Sequence, residues 1–494
     1  MPSPNADIVA GPVLFSRGAD EQRSRLAALL VVRDGSEAAS VRAFPELRPA
    51  GGGAIVPNAL ARLAGQVFLR YDFELPNAPG AAYELEGRRH AVATGLGDGA
   101  RIAYVSCNGR ERGDGERSPE ERNALWKRLA AEHARAPFSL LLHGGDQLYA
   151  DEASDAHPTL AAWASSPPER RGAFRFGAHE ELAATRFFLE RYTTLYTQPD
   201  VAPLLASVPS AMMWDDHDIF DGWGSHPPAL LDSAVGHGLF GVARRAFLLF
   251  QRALPPDEKP DARATLSYAL HYPGLALIVP DLRSERRPER ILGPEGWRVL
   301  GRHLDAACGV PQLLLMSSVP LLGPRLSRIE SLIGFLPRLR RYEDDLRDQW
   351  QSRAHRTEWR SLLERLDRAA REVSEITVLS GEIHLASRGE LPLGNGGTLH
   401  QLIASGIAHE PPPAIWARAL GLLARFGEDP LPGRRITLSP IPGRRDIYTA
   451  ERNYLTLERE KGTWRAAWEC ELGGRSPSLL LASRADGAAA PRAA

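Results

Sequence analysis

The chain has 494 residues and carries 60 Lys and Arg against 61 Asp and Glu, a formal net charge of −1 at pH 7. This balance gives no overall field that would recruit a polyanion, so stable binding to nucleic acid is not expected. Three scattered cysteines are too few for a disulfide framework. We find no secretory or twin-arginine signal and no stretch with the length of a membrane span, so we expect a soluble, cytoplasmic protein without a transmembrane segment.

Residues 1–97 have the pattern of a small β-sheet domain. Apolar residues alternate with charged ones over residues 69–75, and the prolines and glycine that follow predict a turn before the alternation resumes. We therefore predict an N-terminal β-sandwich domain over residues 1–97, a catalytic domain over residues 98–484 and a disordered tail over residues 485–494.

The segment from residue 101 to residue 144 predicts a βαβ unit. An apolar run begins at Arg101, and the sequence Ser118-Pro119-Glu120-Glu121 then supplies a helix N-cap with proline in the first helical position. A second apolar run, residues 139–142, ends at a pair of glycines. Since a strand, helix, strand crossover joins parallel strands, the sequence predicts an α/β fold with a parallel sheet.

Side chains that can bind a metal follow four of the predicted buried strands. They are Cys107 after the first strand, Asp146 and Tyr149 after the second, Asp215, Asp216 and His217 after the third, and Glu382 and His384 after the fourth. Open parallel sheets bind ligands at the carboxyl ends of their strands. We therefore predict that these residues form one metal centre.

The predicted chemistry of this centre is phosphoric ester hydrolysis. Several carboxylates can bridge hard cations while imidazole supplies nitrogen ligands, and such a centre generates a hydroxide near neutral pH. His217 is the candidate proton donor or charge stabiliser, and Asp146 is the candidate bridging carboxylate. Arg283 follows a further predicted strand and is the candidate for bidentate contact with phosphate, with Asn108 as a second substrate contact.

The motifs around these residues resemble the PhoD-like alkaline phosphatase and phosphodiesterase family, a branch of the calcineurin-like metallophosphoesterases. The matching segments are Ser106-Cys107-Asn108, Gly145 to Asp151, Trp214 to Asp218, Asp281 to Ser284 and Ser380 to His384, in the family's order. The resemblance covers residues from about 100 to 454. It implies a four-layer α/β (α+β) sandwich of two mixed sheets flanked by helices, preceded by a β-domain.

The resemblance also implies the metals. Cys107, Asp146 and Tyr149 would hold Fe3+, and the neighbouring carboxylates would suit Ca2+, with Mn2+ or Zn2+ as alternatives. Glu382 stands where the family usually has aspartate. One added methylene moves the carboxylate by roughly a bond length, which would change metal preference or abolish activity.

Three alternatives stay open on the sequence. The first is a catalytically weak relative that binds a ligand or partner, which the glutamate at position 382 favours. The second concerns the substrate, which is a phosphate-ester small molecule or a phospholipid, monoester or diester. The third concerns the apolar residues between Pro411 and Arg445, which either pack on the protein or face lipid as a lid; packing is the favoured prediction. The oligomeric state is not predicted.

Overall fold

The computed structural model describes residues 8–35, 44–109, 117–256, 264–324, 348–425 and 427–481. The tail predicted over residues 485–494 lies outside these residues. None of the described helices is both long and apolar enough to cross a membrane.

The described residues form 22 strands and 11 α-helices. The strands are β1 (Ile8–Ala19), β2 (Arg23–Arg33), β3 (Leu47–Pro49), β4 (Asn58–Leu63), β5 (Gln66–Pro76), β6 (Ala82–Leu85), β7 (Arg88–Ala91), β8 (Arg101–Val105), β9 (Leu140–Gly144), β10 (Ser210–Met213), β11 (Tyr268–Tyr272), β12 (Leu275–Val279), β13 (Gln312–Ser317), β14 (Glu375–Ser380), β15 (Ser387–Pro392), β16 (Thr398–Ile403), β17 (Glu428–Leu431), β18 (Arg434–Ser439), β19 (Asn453–Glu460), β20 (Thr463–Cys470), β21 (Gly474–Arg475) and β22 (Leu479–Leu481). The helices are α1 (Pro119–Arg122), α2 (Ala124–Arg135), α3 (Pro158–Ser165), α4 (Pro168–Arg171), α5 (Ala178–Tyr196), α6 (Ala202–Ser207), α7 (Pro228–Leu231), α8 (Ala234–Phe250), α9 (Pro294–Ala306), α10 (Arg356–Ala369) and α11 (Ala414–Ala424).

Two large mixed sheets organise the fold. The first has the order β21-β20-β19-β8-β9-β10-β1-β2-β5-β4, with β22 also paired to β20, and the second has the order β11-β12-β13-β14-β16-β15-β18-β17. β8, β9, β10 and β1 are parallel neighbours in the first sheet, and β12, β13, β14 and β16 are parallel neighbours in the second. The carboxyl ends of these strands therefore share one edge in each sheet.

Successive side chains of β8, β9 and β10 serve two different cores, as the two-residue period of a strand requires. Tyr104 and Leu142 belong to a core shared with Leu277 and Leu314 of the second sheet. Their sequence neighbours, such as Leu141, belong to a second core shared with helices α2, α5 and α8. Since α9 and α10 pack on the second sheet, the predicted four-layer sandwich of two mixed sheets between helices is confirmed.

The N-terminal strands enclose a third hydrophobic core. Of these strands, β1, β2, β4 and β5 also belong to the first sheet. A small sheet of order β3-β6-β7 faces β1, β2 and β5 across a separate apolar core. β1 pairs in parallel with β10 at Phe15 and Ser210, so the larger N-terminal sheet continues the sheet that carries Asp146. The domain boundary near residue 97 stays a prediction, and the two parts share one sheet.

Candidate metal centre

The predicted ligands come together because their strands end at neighbouring positions. β8 leads to Cys107, β9 to Asp146, β10 to Asp215 and β14 to Glu382. Glycine keeps the turn after β9 narrow: Gly145 has φ +102°, and a Cβ there would lie 2.8 Å from the Cβ of Asp215. A larger residue would push the two strand ends apart.

The backbone at these strand ends is in an unusual conformation. Of the eight described non-glycine residues with positive φ, four are Cys107 (52°), Asp146 (53°), Glu382 (62°) and His384 (53°). This left-handed region is sparsely populated by residues with a Cβ and costs about 1–3 kcal/mol each. Such strain persists where the surroundings enforce it, and here it orients four predicted ligands.

One group of possible ligands consists of Cys107, Asp146 and His384. Each offers a donor atom, and these atoms all lie within 4.8 Å of one another. Cys107 Sγ lies 3.5 Å from Asp146 Oδ2, and Tyr149 Oη lies 3.3 Å from His384 Nε2. Thiolate, phenolate, carboxylate and imidazole donors are therefore close enough to share one ion.

A second group consists of Asp146, Asp215 and Asp216, whose oxygens also lie within 4.8 Å of one another. Asp146 Oδ1 and Asp215 Oδ2 are buried and have no hydrogen-bond partner among the described residues. A buried carboxylate oxygen without a partner costs roughly 1–3 kcal/mol or more. A cation between the two carboxylates would satisfy both oxygens, so the donor set fits a metal.

The electrostatics of the site also favour a cation. Burial raises the pKa of Asp146 well above its ordinary value, and the Asp215 and Asp216 carboxylates raise it further. Burial and the Asp146 carboxylate likewise raise the pKa of the Cys107 thiol. Burial lowers the pKa of His384, as do His409 and His217. Since a bound cation favours deprotonated ligands, it would stabilise the ionised carboxylates and thiolate and the neutral imidazole.

His217 lies beside the two groups and is held in a fixed orientation. Its Nδ1 lies 3.0 Å from Asp151 Oδ2, and its ring stacks on Tyr149 at 4.3 Å between centroids. Burial acts to lower the pKa of His217, but the Asp151 and Asp216 carboxylates outweigh it and raise the pKa well above its ordinary value. Its Nε2 lies 4.0 Å from Asp221 Oδ1, and His217, Asp216 and Asp221 form a third group of possible ligands on the lining of the cavity.

Arg283 occupies a different position from the one predicted for a substrate contact. Its side chain is 0% exposed, and its guanidinium bonds Asp215, Asp216 at 3.1 Å and Asp348 at 2.7 Å. It also donates to the Trp223 carbonyl and is not among the residues that line the cavity. The structure thus shows Arg283 holding the aspartates, and its contact with phosphate and its part in catalysis stay predictions.

Two further predicted residues stand at the margin of the site. Glu382 lines the cavity and accepts a hydrogen bond of 2.7 Å from Gln349 Nε2, and it belongs to none of the ligand groups found among the described residues. Asn108 is buried and its Oδ1 accepts a 2.7 Å hydrogen bond from Trp126 Nε1. Asn108 therefore supports the turn that carries Cys107.

Several residues that shape the site could not be recognised from the sequence. Asp151 and Asp218 stand inside the motifs, but nothing in the pattern shows that Asp151 holds His217. Asp218 accepts hydrogen bonds from the backbone N–H groups of Leu148 and Asp215, and so ties two strand ends together. His409 stacks on His384 at 3.6 Å and had no motif to mark it.

A cavity of about 220 Å³ opens at these strand ends. Its polar lining includes Asp146, Asp216, His217 and Glu382, and apolar residues form the rest of the wall. The apolar residues include Pro320, Leu322, Ile383, Leu385, Trp416 and Leu420. The arrangement can bind an anionic group at a metal and a less polar group beside it.

Comparisons with known proteins agree with this geometry. Residues 104–341 match the model of a family described as PhoD related phosphatase. An uncharacterized protein of Saccharomyces cerevisiae, YGR266W, is 25% identical over 451 residues, covering 72% of this chain and 64% of that protein. The chain thus spans less than two thirds of the length of this yeast relative.

Two solved structures share the fold. One, described as the structure of PhoD, has a TM-score of 0.59 at 13% identity and covers 98% of this chain and 94% of the other. The other is purple acid phosphatase PPD1 from yellow lupin (Lupinus luteus) seeds, with a TM-score of 0.52 at 11% identity, covering 97% of this chain and 75% of the other. The predicted resemblance to PhoD-like metallophosphoesterases is confirmed.

Proposed function

We propose that this chain is a metal-dependent phosphoric ester hydrolase of the alkaline phosphatase and phosphodiesterase type. The observation that carries the proposal is the pair of ligand groups sharing Asp146, which lie on the polar side of one cavity. The match of residues 104–341 to PhoD related phosphatases supports the same reaction class.

The two ligand groups would hold two ions, and Asp146 belongs to both groups. Cys107, Tyr149 and His384 would complete one site, for which Fe3+ suits the thiolate and phenolate donors. Asp215 and Asp216 would complete the other, which suits Ca2+ or Mn2+, with Zn2+ as an alternative. When bound, such ions supply Lewis acidity toward a phosphoryl oxygen and lower the pKa of water.

The protein's own groups position the ester and manage protons. His217 faces the cavity and is held through Nδ1 by Asp151. Its imidazole would donate a proton to the leaving oxygen or stabilise charge on the phosphoryl group. Arg283 fixes the Asp215 and Asp216 carboxylates from behind.

The position of Glu382 supports a second candidate function. Its carboxylate bonds Gln349 at 2.7 Å and lies outside the ligand groups, which is what a site with weakened metal binding would show. The second candidate is a protein that binds phosphate esters and turns them over poorly. Turnover of a chromogenic phosphate ester after loading with iron, calcium, manganese or zinc separates the two candidates.

Asp146→Asn tests the hydrolase proposal. Asparagine tolerates the positive φ at this position, so the fold is expected to persist. We expect turnover to fall by at least about a hundredfold and bound metal to fall with it, because both ligand groups lose a shared carboxylate. Asp98→Asn, an exposed aspartate before β8, is the matched control and is expected to leave both unchanged. A folded Asp146→Asn variant with normal turnover would overturn the proposal.

A further inference from the structure

Helix α11 (Ala414–Ala424) is apolar on more than its packed face. Ala417, Gly421 and Ala424 are buried against the protein, whereas Trp416 and Leu420 line the cavity. The outward face carries apolar side chains that are exposed to solvent: Ile415 is 79% and Leu422 59% exposed. The helix therefore joins the wall of the site to an apolar surface in solvent.

This surface concentrates exposed apolar side chains. Among the described residues nine large hydrophobic side chains are exposed, and Ile415, Leu422 and Leu423 supply three of them within nine positions. Cations accompany them, because Arg418 and Arg425 are exposed on the same helix and at its end. Arg418 contacts Asp446 at 3.4 Å in an exposed ion pair, which contributes little stability.

Apolar and cationic side chains on one exposed helical face match an anionic lipid surface, because the apolar groups enter the headgroup region while arginines meet phosphates. The lining of the cavity favours the same kind of ligand. Its polar side would hold a phosphate group, and the wall of Leu322, Leu385, Trp416 and Leu420 offers an apolar surface beside it. A ligand with a phosphate ester and an apolar tail satisfies both sides.

We propose that the outward face of α11 docks on an anionic phospholipid surface and that the substrate is a phosphate ester with an apolar tail taken from that surface. The choice of substrate rests on the proposed hydrolase function, whereas docking does not. In this arrangement Ile415 and Leu422 enter the lipid surface, and Trp416 and Leu420 contact the tail of the substrate.

The binding experiment measures flotation of the full chain with vesicles of phosphatidylcholine, with and without phosphatidylglycerol. We expect the mixed vesicles to bind the protein and the Ile415→Asp/Leu422→Asp variant to bind at least about tenfold more weakly, since two apolar side chains lose their burial. Val56→Asp alters a side chain that is 86% exposed in the N-terminal part and is expected to bind as the unmodified chain does.

The activity experiment compares a soluble phosphodiester, bis(p-nitrophenyl) phosphate, with phosphatidylglycerol presented in vesicles. The double variant should keep its turnover of the soluble ester and lose at least about tenfold on the vesicle substrate. Equal vesicle binding by the double variant and the unmodified chain would overturn the proposal. So would a dimer in size-exclusion chromatography that the double variant breaks, with no vesicle binding, because a second copy would then cover the face.

The two hypotheses fail separately. Vesicle binding that depends on Ile415 and Leu422, without turnover of any ester, would remove the hydrolase function and leave docking intact. Turnover of the soluble diester by a chain that does not bind vesicles would retain the hydrolase function and end the docking proposal.

Discussion

At the scale of single residues, the orientation of the His217 imidazole is set by the Asp151 carboxylate. Asp151 accepts from Nδ1 and also from the Asp221 backbone N–H at 2.6 Å, so the imidazole is held with Nε2 4.0 Å from Asp221 Oδ1. We predict that His217→Asn lowers kcat by about a hundredfold or more while bound metal is kept. Asp151→Asn should cost about tenfold, because it loosens the imidazole without removing it.

The double variant makes this prediction specific. If Asp151 acts through His217, the His217→Asn/Asp151→Asn variant is no slower than His217→Asn alone, since coupled residues are not additive. His237→Asn is the matched control, because His237 is half exposed and contacts only the surface carboxylate of Asp232 among the contacts described. Unchanged kinetics for His217→Asn would remove the imidazole from the mechanism.

Tyr149 carries the prediction about iron. Its hydroxyl lies 3.3 Å from His384 Nε2 in the ligand group that contains Cys107. A phenolate bound to Fe3+ absorbs visible light by charge transfer, so iron-loaded protein should be coloured and Tyr149→Phe should shift the band. Tyr448→Phe, on the same cavity, should leave the band unchanged. Full activity with calcium or manganese and no detectable iron would contradict the assignment.

Site residues at strand ends could be predicted from the sequence, whereas residues that act through distant partners could not. Cys107, Asp146 and His384 could be predicted because each directly follows a buried strand, and the structure places their donor atoms together. Arg283 also follows a strand, but its partner Asp348 stands 65 residues further along the chain. No local pattern shows which carboxylate a buried guanidinium will meet.

At the scale of elements, Arg283 links the end of β10 to the segment around Asp348. Its guanidinium is 0% exposed and bonds Asp215, Asp216 and Asp348. Arg283→Met would leave the Asp215 and Asp216 carboxylates without this cation, whereas Asp348 keeps Arg286 at 2.9 Å, and we predict a loss of about 3–5 kcal/mol in the free energy of unfolding. Arg287→Met, which breaks a partly exposed contact with Asp232, should cost less than about 1 kcal/mol. Urea denaturation measures both.

The opposite result would support a substrate role for Arg283. If Arg283→Met keeps the stability of the unmodified chain and raises KM for the ester, the arginine contacts substrate after all. The predicted substrate role would then replace the positioning role inferred from its burial.

Helix boundaries were predictable where capping chemistry is local. Ser118 accepts a hydrogen bond from the Glu121 backbone N–H, with Pro119 in the first turn, as the sequence predicts. The apolar residues after Pro411 were harder, because periodicity alone does not tell a packed face from an exposed one. Of the apolar residues in question, Trp416 and Leu420 are half-buried, Ile415 and Leu423 are exposed, and Phe426 lies outside the described residues.

At the scale of the whole molecule, the first sheet runs through both predicted domains. The alternation in residues 69–75 predicts a strand correctly, yet it does not say which strand becomes its neighbour. Pairing of β1 with β10 depends on which edges are free once the βαβ units have formed. The continuity of the sheet therefore could not be inferred from the strand pattern that predicts a domain boundary at residue 97.

The shared sheet predicts that residues 98–494 do not fold when residues 1–97 are removed. Ser16 Oγ lies 2.6 Å from Tyr272 Oη, and Phe68 packs edge-on against Phe250 at 5.2 Å. The N-terminal side chains in the core beneath α5 and α8 are Ala10, Val13, Phe15, Ala27, Leu29, Val31 and Phe68.

Five of these side chains are large, and burying each contributes about 1.5–3 kcal/mol. Their sum, roughly 7–15 kcal/mol, equals the whole stability of an ordinary domain. Residues 98–494 expressed alone should therefore be insoluble or bind a hydrophobic dye without a cooperative thermal transition, and co-expression of residues 1–97 should restore solubility. Cooperative unfolding and normal ester turnover by residues 98–494 alone would instead establish an independent catalytic domain, with the β10 edge stable in the absence of β1.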